Sequence, residues 1–163
     1  MKIQKFAVVA LLGLVGGGTA ISTYSPAPLV VHAAVSNSTI NKKISKSLTD
    51  CQNWAAGKID KNRQKTTNGT ANLAYQWATY VTSIKYTGGK KLTINVNNNF
   101  DDLQDNAKRD TLNSAENCAN QVLLEQKKIT ADEANQGLTI TVRDGHGIVG
   151  RSDKMSNRLY DFN

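Results

Sequence analysis

Two five-residue stretches, Leu92-Thr93-Ile94-Asn95-Val96 and Leu138-Thr139-Ile140-Thr141-Val142, switch between apolar and polar at every step. A period of two marks a strand with one face buried and the other in water. A chain with two such strands must build a sheet and bury one side of it. Each stretch also has a partner close by. Val81-Thr82-Ser83-Ile84-Lys85-Tyr86 precedes the first across Thr87-Gly88-Gly89-Lys90, and Asp144-Gly145-His146-Gly147 joins the second to Ile148-Val149-Gly150. Strand-forming runs around glycine-rich turns predict two hairpins.

The cover for that sheet is written as helical stripes. Ile40, Ile44, Leu48, Cys51 and Ala55 fall within about 80° of one another, with Trp54 at the border, which predicts a helix over 38–57. Ser38 or Thr39 can cap it and Gly57 can stop it. The polar segment 58–69 ends in Asn68-Gly69 and reads as a loop; Ala71, Ala74, Trp77 or Ala78, and Val81 then suggest a shorter helix. A long helix is predicted over 101–128 from Phe100, Leu103, Ala107, Ala115, Cys118 and Val122. Asp101 and Asp102 at its start, and Lys127 and Lys128 at its end, match the helix dipole. Thr130-Ala131-Asp132-Glu133 is a capping box for one more short helix, ended by Gly137. The expected fold is α+β, with order α-α-ββ-α-ββ. In it, a small antiparallel sheet of about four strands, made of two β-hairpins, packs against two or three helices.

Residues 1–34 belong to a different physical class. Lys2 and Lys5 precede an apolar run from Phe6 to Ile21, and Val31-His32-Ala33-Ala34 ends the segment with small residues. This is the layout of a secretory signal peptide with a Gram-positive bacterial look. The competing reading is an uncleaved anchor, but four glycines between Gly13 and Gly18 weaken a permanent helix. No cysteine closely follows the apolar run, so lipoprotein processing is not expected, and residues 157–163 hold no sorting motif. The expected organisation is a signal peptide, 1–34, and a single secreted α+β domain, 35–163, free or held non-covalently at the cell surface.

Cleavage after Ala34 removes Lys2 and Lys5 and no acid, lowering the formal net charge from +7 to +5. A positive exported domain is biased towards polyanions such as teichoic acid, anionic polysaccharide or phospholipid headgroups. Lys42, Lys43 and Lys46 share the polar side of the first predicted helix, Lys58, Lys61, Arg63 and Lys65 follow in the loop, and Lys90 and Lys91 mark a hairpin tip. Lysines early in a helix oppose its dipole, so they are not there for helix stability. Lys42, Lys43, Lys46, Lys90 and Lys91 are the candidate contact residues. Against that stands the common case of a charged, solvated face. Tyr75, Trp77, Tyr80 and Tyr86 could stack on sugar rings, although filling the core is the simpler role for aromatic residues.

Cys51 and Cys118 sit near the centres of their own apolar stripes. In an exported chain, two cysteines on helices that can pack together predict a disulfide. Closing that loop would stabilise the fold by roughly 4 kcal/mol in the chain-entropy model. Buried free thiols are the alternative.

Catalytic chemistry has few residues to use. Once His32 is removed, His146 is the remaining histidine, flanked by Arg143 and Arg151 at the strand ends. An imidazole between two guanidiniums could serve as acid or base on a phosphodiester, with the arginines holding phosphate. Equally, these residues suit an ordinary hairpin tip. Ser152 with Asp144 or Asp153 lacks the elbow motif of a serine hydrolase. One histidine and two cysteines cannot supply a zinc set, so neither metal nor cofactor is expected. Asp101-Asp102-Leu103-Gln104-Asp105 carries the letters of a magnesium-diphosphate motif, yet its acids lie where a helix start favours negative charge. The segment from Asn95 to Asn99, with Asp101 and Asp102, lacks the glycine and glutamate of an EF-hand loop.

The sequence therefore favours a secreted non-enzymatic domain that binds an anionic cell-wall polymer or an extracellular protein, with nucleic acid disfavoured. The alternative is a small secreted hydrolase using His146, Arg143 and Arg151.

Overall fold

Five strands form one mixed sheet in the order β1-β2-β3-β4-β5: Val81–Gly88, Lys91–Val96, Thr139–Arg143, Ile148–Ser152 and Tyr160–Phe162. The helices are α1 (Asn37–Ala55), α2 (Asp105–Glu125) and the short α3 (Ala131–Gln136). The computed structural model describes residues 35–60, 62–67, 69–153 and 155–163. The expected signal peptide over 1–34 and the expected loop base Lys61 lie outside the described residues. Among the described residues, no helix is long and apolar enough to cross a membrane.

The α+β class and both hairpins are present, but the sheet is neither four-stranded nor wholly antiparallel. β2 and β3 pair in parallel, Leu92 beside Ile140 and Ile94 beside Val142. Parallel neighbours need a crossover that returns the chain to the starting end of the sheet. The segment carrying α2 supplies it, so the hairpins stand side by side in one direction. β5 adds a fifth strand against β4. Its three residues are too few to show a period in the sequence. The second predicted helix is a 3₁₀ segment, Leu73–Thr79, capped by Asn72. The long helix starts at Asp105 and not at Asp101, because Asn98–Phe100 first forms a separate 3₁₀ turn that buries Phe100. Asp101 and Asp102 therefore precede the helix.

The first helix keeps its predicted stripe: Ile40, Ile44, Leu48, Cys51 and Ala55 are all buried. Its cap is Ser36, whose hydroxyl accepts from the Thr39 amide, and the chain leaves it through Gly57 at φ 65°. The α2 burial is wider than its predicted stripe, adding Leu112, Ala119 and Leu123 together with Thr111, Glu116 and Asn120. The capping box of α3 is complete, with Thr130 and Glu133 each accepting from the other's amide.

Strand registers line up an inward row: Ile84, Ile94, Val142, Gly150 and Phe162. An extra residue in β1 between Val81 and Ser83 lets both Val81 and Ile84 face the core despite their odd spacing. Gly150 is required by its neighbour, since a Cβ there would lie 2.9 Å from Cδ1 of Phe162. At the free edge of β1, Asn41 on α1 accepts from the Tyr86 amide at 2.7 Å and donates to its carbonyl at 3.0 Å. Gln52 donates to the Val81 carbonyl at 2.9 Å. Side chains from α1 thus cover backbone groups that would otherwise template another strand.

One buried charge ties the C-terminal segment to this core. Glu116 is fully buried, and its carboxylate accepts from the Leu138 amide at 2.7 Å and from Arg158 at 3.4 Å. Arg158 also donates to the Ala134 carbonyl at 2.6 Å. Burial raises the pKa of Glu116, against the opposing pull of the Leu138 amide, Arg158 and Asn120.

Candidate functional site

The helices leave one face of the sheet to solvent, and the same registers that align the core also align that face. Lys85, Thr93, Thr141, Arg151 and Asp161 form a row across all five strands. One step along, Ser83, Asn95 and Arg143 form a second row, in which Asn95 donates to the Ser83 hydroxyl at 2.7 Å. On the other side Lys91 stands beside Thr139. Four cations, Lys85, Lys91, Arg143 and Arg151, are therefore exposed on four adjacent strands, among short hydroxyl and amide side chains. At ordinary strand spacing Lys85 and Arg151 are about 14 Å apart at the backbone. Among the described residues, none of the four makes an ion pair. Asp161, opposite Arg151 on β5, is the acid of this row. Among the described residues, the strands place no aromatic side chain on this face, because Tyr86, Tyr160 and Phe162 take inward positions.

The five candidate lysines do not form one patch. Lys91 belongs to the open face. Lys42 lines a shallow depression of about 860 Å³ at the edge between α1 and β1, which Lys85 also lines, so it continues the cationic surface around that edge. Lys90 is engaged elsewhere: its ammonium lies 3.1 Å from Glu133. The Thr130 amide and Lys90 together hold the Glu133 carboxyl below its usual range. Lys43 and Lys46 turn to the other side of α1 and line a groove of about 630 Å³ between α1, the 3₁₀ segment and α2.

That groove collects the exposed ends of several aromatic residues. Trp54, Tyr75 and Trp77 are half-buried along it, with Trp54 and Tyr75 ring centres 4.7 Å apart and the Arg63 guanidinium 5.4 Å from the Trp54 ring. Tyr86 is buried in the core, where its hydroxyl donates to the Gly89 carbonyl. Burial raises the pKa of that phenol. Cys51 and Cys118 also reach the groove wall. Both are buried free thiols, so the disulfide expected from the sequence is not formed in this structure.

His146 stands exposed at the tip of the β3–β4 hairpin. The neighbouring Asp144 is committed to the turn, accepting from the His146 and Gly147 amides at 2.7 Å each. Those amides, Gly147 first, hold its carboxyl below the usual range. Arg143 and Arg151 share a face but not a cross-strand pair, since Arg151 lies opposite Thr141. No three His, Cys, Asp or Glu side chains among the described residues are grouped as a metal site would require.

The sequence reading missed Lys85, which carries no motif of its own. Its relation to Arg151 depends on β2 and β3 being neighbours, and this pairing joins segments far apart in the chain. Comparison with protein-family models, with curated proteins and with solved structures gives no match.

Proposed function

We propose that this is a secreted, non-enzymatic binding domain that docks on a phosphate-bearing cell-envelope polymer of the teichoic-acid type through its open sheet face. The observation that carries this reading is the cross-strand alignment of Lys85, Lys91, Arg143 and Arg151 on the side without helices. A rigid sheet holds its charges at fixed spacing without the ordering cost that scattered loop lysines would add. Unpaired guanidinium and ammonium groups among threonine hydroxyls are suited to phosphate oxygens. The lack of an aromatic platform argues against single-stranded nucleic acid, whose bases are usually stacked on such side chains.

The test is sedimentation of the full chain with teichoic-acid-bearing cell walls across a salt series, before and after the polymer is stripped. Binding should weaken as salt rises and disappear on stripping. Replacing Lys85, Lys91, Arg143 and Arg151 by glutamate should abolish it, whereas reversing Lys43 and Lys46 on the groove side should leave most of it. Loss with the groove pair and retention with the sheet set would move the site to the other side of the molecule. His146→Ala should bind normally; if it instead removes a phosphodiesterase activity of the chain, the hydrolase reading replaces this one.

A further inference from the structure

We propose that the groove between α1, the 3₁₀ segment and α2 belongs to a longer cleft that binds an uncharged glycan chain carrying N-acetyl groups. The cleft lies on the helical side of the molecule, away from the open sheet face. This inference therefore does not depend on the polymer-binding reading.

The groove does not end where the aromatic cluster ends. A second depression, of about 320 Å³, lies between the 3₁₀ segment and the first half of α2, and Trp77 and Ser114 line both. The two hollows meet at that pair. Along the α2 side, Ala107, Asp110, Ser114, Asn117, Gln121 and Glu125 recur every three or four residues, which puts them on one face of the helix. From Ala107 to Glu125 this wall runs about 27 Å, room for several sugar rings in a row.

The lining has the chemistry that a sugar chain needs. Tyr75, Trp77 and Tyr80 are half-buried, each packed on the core and lining the cleft. Trp54 is committed to the fold: its indole N–H donates to the Asp60 carbonyl at 3.2 Å, and Tyr75 and Arg63 lie against its ring. Trp77 differs. Among the described residues its indole N–H has no acceptor and its ring has no aromatic or cationic partner, and the Asn117 and Gln121 amides make no hydrogen bond. The C–H groups on the flat side of a pyranose ring suit the negative face of an indole. Its rim of hydroxyls needs both donors and acceptors, which side-chain amides supply.

Charge separates this cleft from the sheet face. Lys43, Lys46 and Arg63 are balanced by Asp50, Asp110 and Glu125, and Arg63 already lies 4.0 Å from Asp50. A balanced lining offers a polyanion no net attraction. At the far end Leu73, 79% exposed, joins Ala74, Leu103 and Ala107 in an apolar corner that suits the methyl of an acetamido group. An extended peptide would seek a free strand edge to pair with, and walls made of helix provide none.

The probe is chitohexaose, the linear hexamer of N-acetylglucosamine, added to the full chain. Both tryptophans of the chain line the cleft, so intrinsic fluorescence reports on it. Binding should saturate and stay unchanged as salt rises, unlike adsorption to an anionic polymer. By calorimetry, Trp77→Ala should weaken it at least about tenfold. Because Trp77 also packs on the core, Asn117→Ala and Gln121→Ala, made together at exposed positions, give a second reading, a loss of about tenfold. Replacing Lys85, Lys91, Arg143 and Arg151 by glutamate should leave hexamer binding intact. Undiminished binding in the amide variant, or loss in the sheet variant, would overturn the placement. No saturable binding of the hexamer, or binding of casein peptides there in its place, would overturn the glycan cleft itself. Equal binding of cellohexaose, which lacks acetamido groups, would remove the N-acetyl assignment.

Discussion

The two faces of the sheet are built from the same strands, one residue out of phase, yet they meet opposite physical demands. Ile84, Ile94, Val142, Gly150 and Phe162 make the inward row; Lys85, Thr93, Thr141, Arg151 and Asp161 make the outward one. Inward side chains are packed against α1, α2 and Phe100, where a missing methyl group leaves a void. Outward side chains stand in water, where a changed charge costs the fold little but alters long-range attraction. A strand's period of two thus lets stability and recognition vary separately.

Adjacent substitutions test that separation most sharply. Ile94→Ala should lower unfolding free energy in urea by about 4 kcal/mol, because Ile94 is fully buried at the middle of the inward row. Thr93→Ala, one residue away, should cost about 1 kcal/mol or less; equal costs would mean that the open face is covered in solution. Gly150→Ala should cost about 1 to 3 kcal/mol, through the clash of its Cβ with Phe162. A neutral result would show that β5 can move away from β4.

The buried charge predicts a pH dependence of opposite sign to that of an ordinary surface ion pair. Burial raises the Glu116 pKa in the fold, so the folded state holds this proton more tightly than the unfolded state does. The contribution is fully present below the unfolded pKa and is lost as pH rises through the folded value. Glu116→Gln should flatten that part of the stability profile above the ordinary carboxylate range, measured by urea titrations at several pH values. A profile unchanged from that of the original chain would mean that Arg158 neutralises the charge fully. The smallest effect on stability belongs to Arg143→Glu, within about 0.5 kcal/mol, although it should weaken salt-sensitive wall binding measurably.

Local patterns made much of the fold legible. The α1 stripe, both glycine-bounded hairpins and the Thr130–Glu133 capping box follow from neighbours within a few residues, where periodicity and capping chemistry act. The start of α2 was misplaced because Asp101 and Asp102 suit a helix N-terminus, while burial of Phe100 in a 3₁₀ turn fixes the local backbone instead. Glu116 gave no warning either, since a carboxylate on a predicted helix reads as solvated until Leu138 and Arg158 come to it from elsewhere. Lys42, Lys43 and Lys46 looked like one cluster along the chain, but the width of a helix sends Lys42 to the β1 edge and the other two to the groove.

The sequence by itself determined the two hairpins, the buried side of β2 and β3 and the helix stripes that bring Cys51 and Cys118 inward, because each is a matter of local periodicity. Only the tertiary structure decided that β2 and β3 run parallel, that β5 joins the sheet, and that Lys85 and Arg151 share a row. Those outcomes depend on pairing between distant segments, whose register is set when the whole inward face is buried at once.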